Sequence, residues 1–246
     1  MTSWFPSLPD LPVAGWAYLD LMKRCLMGWP YQNFGYKVTK EQRTRGEFWP
    51  DVAHTLLSLS RLNNIEECMF AAIFDKVPGD FMECGVWRGG ACILMRAYLH
   101  ANGIGNRKVV CVDSFAGVPP PTLSIDKNET FHTFGYLSVS LEEVKENFSK
   151  YGLLDDRVQF YKTWFKDICW GSPLALLRID GDLYESTWDC LTRLYKCVSI
   201  GGFVIIDDYV CMPHVKAAVD DFRRQWGVNE EIAGVDWSAV YWRKLR

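Results

Sequence analysis

The sequence predicts an α/β protein with a Rossmann-like, mostly parallel central sheet, helices on both faces of that sheet, and a helical N-terminal extension. Three observations support this fold class. From Phe81 onward, short apolar runs alternate with amphipathic stretches of helical length, an order typical of doubly wound sheets. The runs at 174–179 and 202–206 are apolar nearly throughout, as expected of strands buried on both faces. Residues 1–75 show helical patterning and no strand pattern.

Length and composition limit the possible classes of protein. The 246 residues suit one domain with an extension, which we place at 76–246 and 1–75, respectively. A net charge of −3 without clustered Lys or Arg argues against nucleic-acid binding. No run approaches the roughly 20 apolar residues of a membrane helix. Nine cysteines without a CxxC pair, and an N-terminus unlike a signal peptide, favour the reducing cytoplasm.

The extension is expected to contain three helices. The first spans residues 12–29 and ends at Gly28, Trp29 and Pro30. A second helix is predicted to start near Pro50 and Asp51, because proline favours the first helical position. A third runs from 62 to 75, and Pro78 and Gly79 then end the extension.

The domain is expected to alternate strands and helices. Strands are predicted at 81–84, 108–112, 158–161, 174–179 and 202–206, with one or two more at the C-terminus. Helices are predicted at 89–100, 140–151, 186–198 and 213–226. The connection 114–139 is rich in Pro, Ser and Thr and is longer than an ordinary loop.

Polar residues that follow these strands should share one edge of the sheet, where ligands of such folds bind. Glu83 precedes a glycine-rich turn that includes Gly85 and lacks the spacing of dinucleotide and phosphate loops. A carboxylate there suits the ammonium group of S-adenosylmethionine better than a pyrophosphate. Asp113 ends the next strand, as an acid that accepts hydrogen bonds from ribose hydroxyls does. A plain tight turn and a helix-capping aspartate are the alternatives for these two acids.

Four acids follow the two most apolar strands. Asp180 and Asp182 follow one strand, and Asp207 and Asp208 follow the other. So many carboxylates repel one another unless a cation, protons or basic groups compensate them, and an oxygen-rich cluster suits Mg²⁺. Turn residues and helix caps that face water are the alternative. Arg178 precedes the first pair and could form an ion pair with a carboxylate there, although we expect strand alternation to point it away from Asp180.

Together these residues predict metal-assisted methyl transfer to an oxygen. A divalent ion lowers the pKa of a hydroxyl, a neighbouring carboxylate can remove its proton, and a sulfonium donor needs mainly alignment.

Four strings resemble the macrocin O-methyltransferase family, whose members methylate sugar hydroxyls of macrolide and aminocoumarin antibiotics. These are GDFMECGVWRGGACILMRAYL, VDSFAGVPPP, LLRIDGDLYEST and GGFVIIDDY. The resemblance covers the chain from about Tyr18 to Arg243. It implies a class I methyltransferase fold, S-adenosylmethionine as cofactor, and a homodimer or larger homo-oligomer.

The resemblance also implies residue roles. Asp182 matches the family's general base, and the matched metal ligands are Asp180, Asp207 and Asp208. The matched cofactor positions are Glu83, Gly85, Asp113, Ser114, Phe115, Trp164, Phe165 and Asp180. The stretch 114–139 matches a lid over a small-molecule acceptor, and the N-terminal helices help to close the site.

The sequence departs from the family pattern at two places beside the site. After Asp167 the family tends to continue with Thr-Leu-Pro, where this chain has Ile168 to Trp170. After Tyr209 the family usually has a Gly and a basic residue before the helix, where this chain has Val210 to His214. These changes put the acceptor in doubt, and a catechol remains an alternative to a sugar. A nicotinamide-dependent oxidoreductase and a non-catalytic S-adenosylmethionine-binding module are alternatives from other classes. His54, His132 and His214 are open between structural and site roles.

Overall fold

The computed structural model describes residues 13–31 and 39–246, and it has the alternation that the sequence predicts. Its strands are β1 (Asp80–Cys84), β2 (Val109–Asp113), β3 (Val158–Lys162), β4 (Leu174–Ile179), β5 (Val198–Ile206), β6 (Ala233–Gly234) and β7 (Val240–Arg243). Its α-helices are α1 (Val13–Leu26), α2 (Lys40–Thr44), α3 (Leu59–Phe74), α4 (Gly90–Ala101), α5 (Leu141–Lys150), α6 (Tyr184–Leu194) and α7 (Pro213–Trp226). Pro12, the first residue of the helix predicted at 12–29, lies outside the described residues.

All seven strands belong to one sheet, in the order β3-β2-β1-β4-β5-β7-β6. The first five strands run parallel. The two short strands predicted at the C-terminus turn back and pair antiparallel, β7 with β5 and β6 with β7. The mostly parallel sheet of the sequence prediction is therefore confirmed.

Side-chain alternation divides the core into two layers. Phe81, Cys111 and Phe203 point to the face covered by α1, α3, α4 and α5. Met82 and Val204 point to the other face, which α6 and α7 cover. Because α1 and α3 pack in the same apolar cluster as the sheet, the N-terminal helices complete the core on their face.

The helix predicted near Pro50 and Asp51 is wrong, because that region forms an irregular segment with a turn. The backbone N–H groups of His54 and Thr55 donate to the carbonyl of Leu26, at 2.8 and 3.2 Å. These bonds hold the segment against the end of α1 and compete with helical hydrogen bonds.

Two local features of the extension differ from the sequence prediction. The third helix begins at Leu59 rather than 62, because the Ser58 hydroxyl accepts from the backbone N–H of Arg61 at 3.0 Å. The short helix α2 was not predicted. It begins after a capping box in which Thr39 and Gln42 each bond the other's backbone.

Arg43 on α2 fastens the extension together. Its side chain is completely buried and donates to three backbone carbonyls, at Met27, Thr55 and Leu57. Burial lowers the pKa of Arg43 to about 10. The guanidinium thus joins the end of α1, helix α2 and the segment before α3.

The connection 114–139 contains only short turns of 3₁₀-helix, at Phe131–Thr133 and Gly135–Leu137. Residues of this connection, among them Val118 and Phe131, line a cavity at the carboxyl-terminal edge of the sheet, and its role as a lid stays a prediction. All nine cysteines are free. Among the described residues, no helix combines the length and apolar character needed to span a bilayer.

Candidate active site

A cavity of about 550 Å³ lies where β1, β2, β4 and β5 end. This volume is in the usual range for small-molecule sites, and the position is the one at which open α/β sheets bind ligands. The strand ends contribute Gly85, Asp113, Ser114, Asp180, Gly181, Asp182, Asp207 and Asp208 to its wall. The extension, the connection 114–139 and the segment after β3 contribute the rest.

Gly85 brings the ends of β1 and β4 together. It has φ of +87°, and a Cβ atom at this position would lie 1.9 Å from the carbonyl oxygen of Asp180. Only glycine fits this close approach without moving the backbone. Gly85 lines the cavity, where a cofactor-binding residue is expected.

Glu83 does not line the cavity. Its side chain is 2% exposed and accepts hydrogen bonds from the Arg178 guanidinium and, at 3.0 Å, from the Cys92 thiol. Burial raises the pKa of Glu83, and the positive charge of Arg178 opposes this shift. The structure gives Glu83 an ion-pair partner within the sheet, and its contact with the cofactor stays a prediction.

Asp113 does reach the cavity. Its carboxylate accepts the backbone N–H groups of Val86 and Phe115, each at 2.8 Å, so its orientation is fixed. Burial raises the pKa of Asp113, and these hydrogen bonds lower it. Ser114 also lines the cavity, whereas Phe115 is buried and stacks edge-on against Phe160. Phe115 thus acts on this site through its backbone.

The aromatic pair after β3 lies at the same opening. Both Trp164 and Phe165 line the cavity, next to Thr163 and Lys166. The Trp164 side chain is exposed, so its ring offers a stacking surface beside Asp113.

Three carboxylates meet at the ends of β4 and β5. Asp180, Asp182 and Asp208 can each offer one oxygen, and the three oxygens lie within 4.8 Å of one another. Asp182 and Asp208 both have φ of +58°, in the left-handed region that non-glycine residues rarely adopt. The backbone turns thus point both side chains into one space.

Crowding changes the acidity of this cluster. Burial, followed by repulsion from Asp208, raises the pKa of Asp182 to about 8. Burial and the neighbouring Asp207 raise the pKa of Asp208 to about 6. The pKa of Asp180 is also raised, first by burial and then by Asp207. A cation among these oxygens would oppose all three shifts.

Asp207 lies beside the cluster and is held by arginines. One carboxylate oxygen pairs with Arg61 and the other with Arg178. The sequence prediction named Asp180, Asp207 and Asp208 as metal ligands, whereas the three oxygens that converge belong to Asp180, Asp182 and Asp208. A bidentate hold by two guanidinium groups leaves Asp207 fewer free lone pairs for a metal.

The expectation that Arg178 points away from Asp180 is wrong. Residues two apart on a strand share a face, and the Arg178 guanidinium lies 3.2 Å from the Asp180 carboxylate. Strand pairing also sets Glu83 beside Arg178. Arg178 therefore links the acids of three strands, and its side chain is 2% exposed.

Arg61 connects this network to the extension, a contact that the sequence prediction missed. From the first turn of α3 it pairs with Asp207 and, at 2.9 Å, with Asp236. Asp236 also accepts the Ser58 hydroxyl at 2.6 Å. The local sequence indicates a helix cap at Ser58. It does not indicate that Arg61 pairs with Asp207 and Asp236, which are far away in sequence.

The three open histidines take different roles. His214 on α7 lies 2.9 Å from the carbonyl oxygen of Asp182, so it supports the cluster through the backbone. His54 pairs with the Tyr151 hydroxyl at 2.7 Å and does not line the cavity. His132 lies in a short 3₁₀ turn and also does not line it.

Aromatic residues form the mouth of the cavity. The Trp49 ring is stacked on Tyr136 with 6.1 Å between centroids, and the Trp87 indole N–H donates to the Tyr136 carbonyl at 3.0 Å. Trp237 donates to the Arg45 carbonyl at 2.7 Å. The three tryptophans line the cavity, so the extension and the connection 114–139 meet at its mouth.

A comparison with known families identifies this arrangement. The sequence model of the macrocin-O-methyltransferase family matches residues 30–244. The chain belongs to the macrocin-O-methyltransferase family. It is 45% identical over 245 residues to demethyldecarbamoylnovobiocin O-methyltransferase of Streptomyces niveus, an alignment covering 93% of this chain and 94% of that protein. Over 244 residues it is 43% identical to mycinamicin III 3''-O-methyltransferase of Micromonospora griseorubida, covering 92% and 96% of the two chains.

Solved structures agree with this membership. The O-methyltransferase NovP superposes with a TM-score of 0.89 at 45% identity, covering 94% of this chain and 100% of that chain. The calicheamicin methyltransferase CalS11 shares the fold, with a TM-score of 0.59 at 17% identity over 96% of this chain and 94% of that chain. The protein is an S-adenosylmethionine-dependent O-methyltransferase of the class I fold. The nicotinamide-dependent interpretation is therefore set aside.

Proposed function

We propose that this member of the macrocin-O-methyltransferase family transfers a methyl group to a sugar hydroxyl of a glycosylated natural product, with a divalent ion in the site. Support for a sugar acceptor comes from the relatives' names. One specifies the 3'' oxygen of mycinamicin III. Another, from Streptomyces olivaceus, specifies the 4' oxygen of a rhamnosyl tetracenomycin C and is 45% identical over 240 residues.

The observation that carries the proposal is the convergence of Asp180, Asp182 and Asp208 in the wall of the cavity. A set of carboxylate oxygens is the donor type that hard cations such as Mg²⁺ prefer. The same oxygens repel one another without a cation. The residues therefore fit a divalent ion, which would supply Lewis-acid polarisation of an acceptor hydroxyl.

We assign the cation mainly to Asp180 and Asp208. Asp207 was also predicted as a ligand, and it could add an oxygen only while sharing it with an arginine. Its contacts favour a second role, in which Arg61 and Arg178 fix Asp207 and thereby the end of β5.

Asp182 is assigned as the base that takes the hydroxyl proton. It lines the cavity, and its backbone is held by His214 at 2.9 Å and by the left-handed turn. A cation beside Asp182 would oppose the raised pKa of this group and keep its carboxylate ionised, as a general base requires. The proton passes from the acceptor oxygen to an Oδ atom of Asp182 as the oxygen attacks the methyl carbon of the sulfonium. The bond between that carbon and sulfur breaks, its electron pair stays on sulfur, and S-adenosylhomocysteine leaves.

Asp113 and the residues beside it are assigned to the cofactor. The two backbone N–H bonds fix the Asp113 carboxylate, which still has lone pairs for ribose hydroxyls. Ser114, Trp164 and Phe165 enclose the same end of the cavity. These contacts support a cofactor position across the ends of β1 and β2, and we propose that the acceptor binds between the cofactor and the aromatic mouth.

Homodimer formation, which rests on the family resemblance, and a cytoplasmic location, which rests on the nine free cysteines, complete the proposal. Light scattering on the purified protein tests the first of these. A monomer over the working concentration range would contradict it.

The first experiment is calorimetric titration of the protein with S-adenosylhomocysteine, followed by titration with Mg²⁺ in wild type and in Asp208→Asn. We expect S-adenosylhomocysteine to bind both proteins and Mg²⁺ affinity to fall at least tenfold in the variant. Asp189→Asn is the matched control, because Asp189 is an acid that lines the cavity outside the cluster.

Turnover assays complete the test. Chelation with EDTA should stop methyl transfer, and Asp182→Asn should lower kcat by about 100-fold or more, within the range for a general base. Turnover that persists in EDTA would refute the metal assignment. A screen of glycosides against catechols decides the acceptor, since methylation of catechols alone would refute the sugar assignment.

A further inference from the structure

The connection 114–139 lines the cavity and also holds the segment that carries Asp182. Helix α6 begins at Tyr184, two residues after Asp182. Its N-cap residue is Leu183, whose apolar side chain cannot accept a hydrogen bond from the first turn of the helix. The first N–H groups of a helix need acceptors when they are shielded from water. The acceptor here comes from outside the helix.

Asp126 supplies that acceptor. One of its carboxylate oxygens accepts the backbone N–H of Tyr184 at 2.9 Å, and the other accepts that of Glu185 at 3.3 Å. The Asp126 side chain is completely buried. Such hydrogen bonds and the positive end of the helix dipole stabilise a buried carboxylate. Asp126 therefore caps α6 from the connection.

Two further contacts join the same parts. The Thr122 hydroxyl donates to the Glu185 carboxylate. On the other side, Glu129 lies 3.6 Å from His214, whose ring reaches the Asp182 carbonyl at 2.9 Å. The connection thus meets the Asp182 segment both directly after Asp182 and through its carbonyl.

We infer that Asp126 is a positioning residue for methyl transfer, one that fixes the orientation of Asp182 by capping α6 from the connection 114–139. The inference rests on the proposed role of Asp182 as base. Under this inference, Asp182 is correctly oriented only while the connection 114–139 is ordered and Asp126 caps α6. The unusual backbone of Asp182, with φ of +58°, needs such support because an unsupported residue relaxes from this region.

The test compares Asp126→Ala and Asp126→Asn with wild type in single-turnover assays. Alanine removes both caps, whereas asparagine keeps one side-chain oxygen. We expect the methyl-transfer rate to fall about 10- to 100-fold in Asp126→Ala, the range for a small misplacement of a reacting group. Asp126→Asn should recover at least a third of the loss in the logarithm of the methyl-transfer rate. The Kd of S-adenosylhomocysteine should change less than twofold in both.

Hydrogen exchange gives a readout that does not depend on activity. The amides of Tyr184 and Glu185 should exchange faster in Asp126→Ala, while amides of α7 keep their wild-type rates. Ser140→Ala is the matched control, because the Ser140 hydroxyl caps α5, accepting from Glu143 at 3.1 Å, and α5 carries no residue of the cluster. It should leave the methyl-transfer rate unchanged.

The outcomes separate this inference from the proposed function. Asp182→Asn with full activity refutes the base, and the inference with it. If Asp182→Asn is inactive but Asp126→Ala transfers methyl at the wild-type rate with faster exchange at Tyr184, the base stands and the positioning role is refuted. If Asp126→Ala does not fold, Asp126→Asn and Thr122→Val decide, and wild-type rates in both overturn the inference.

Discussion

Replacing Arg178 with methionine tests the buried ion network most directly. The guanidinium contacts Glu83, Asp180 and Asp207, and the side chains of Arg178, Glu83 and Asp207 are each 2% exposed. Methionine keeps most of the side-chain volume and removes the charge. Asp207 then retains Arg61, but Glu83 retains only the Cys92 thiol. Removing one partner of a buried ion pair costs about 3–5 kcal/mol.

That loss is large compared with the ordinary stability of a domain, roughly 5–15 kcal/mol. The assay is urea unfolding at pH 7.5, followed by circular dichroism. Arg96→Met is the matched control. Arg96 is also buried, but the side chain of its partner Asp155 is 38% exposed. Water can solvate Asp155 after the change, so we expect a loss of about 1 kcal/mol.

The same variant has a defined dependence on pH. Burial raises the pKa of Glu83 above its ordinary value, and Arg178 is the first group that opposes this. Without Arg178 the pKa of folded Glu83 rises further, so the folded state binds a proton that the unfolded state releases. Stability of the variant must then fall as the pH rises from the unfolded pKa through the folded pKa.

The stability deficit relative to wild type should accordingly be smaller at pH 5 than at pH 7.5. Adding Glu83→Gln to Arg178→Met should recover part of the deficit at pH 7.5 and weaken its pH dependence. Equal losses for Arg178→Met and Arg96→Met, or a deficit that grows towards acid pH, would refute this reasoning.

Three further predictions follow from single side chains. Asp113→Ala should weaken S-adenosylhomocysteine binding by about 1–3 kcal/mol, because the proposed hydrogen bonds between Asp113 and the ribose would be lost; unchanged calorimetric affinity would refute that assignment. Arg43→Met should lower the free energy of unfolding by about 2–4 kcal/mol, since three backbone carbonyls lose a charged donor; urea unfolding that matches wild type would contradict it. Gly90→Ala should destabilise by about 1–3 kcal/mol although alanine favours helices, because its Cβ would lie 2.3 Å from the His54 carbonyl oxygen; a raised melting temperature would show that the segment moves aside.

The elements that were predictable from sequence are those set by local pattern. The apolar strand Leu174–Ile179 and the acids after it follow from burial and from the topology of parallel sheets. Helix α5 begins at Leu141, directly after the predicted cap Ser140. In these places, neighbours in sequence decide the structure.

Prediction failed where distant segments decide. Pro50 and Asp51 resemble a helix start, but hydrogen bonds to Leu26 hold that region irregular. Hydropathy does not indicate which face of the sheet a side chain points to when the strand is buried on both sides. Predicting the pairing of Glu83 with Arg178 requires the register of two strands whose residues are about 95 positions apart in sequence.

Charge balance joins these observations at the site. The acids of the cavity and of the ion pairs behind it are Glu83, Asp180, Asp182, Asp207, Asp208 and Asp236. In the described ranges, the ion pairs that reach these acids come from two side chains, Arg61 and Arg178. These guanidiniums lie against Glu83, Asp207 and Asp236, with a longer contact to Asp180.

The remaining negative charge is concentrated on the oxygens that converge, at Asp180, Asp182 and Asp208. Replacing them with neutral residues would relieve the repulsion at once, so the cluster is unfavourable for folding alone. A divalent ion and a sulfonium cofactor would both bring positive charge to this place. Among the described residues, the arginines pair with Asp207 and reach Asp180 at 3.2 Å, whereas no ion pair reaches Asp182 or Asp208. The divalent ion of the proposed function would supply positive charge at these two acids.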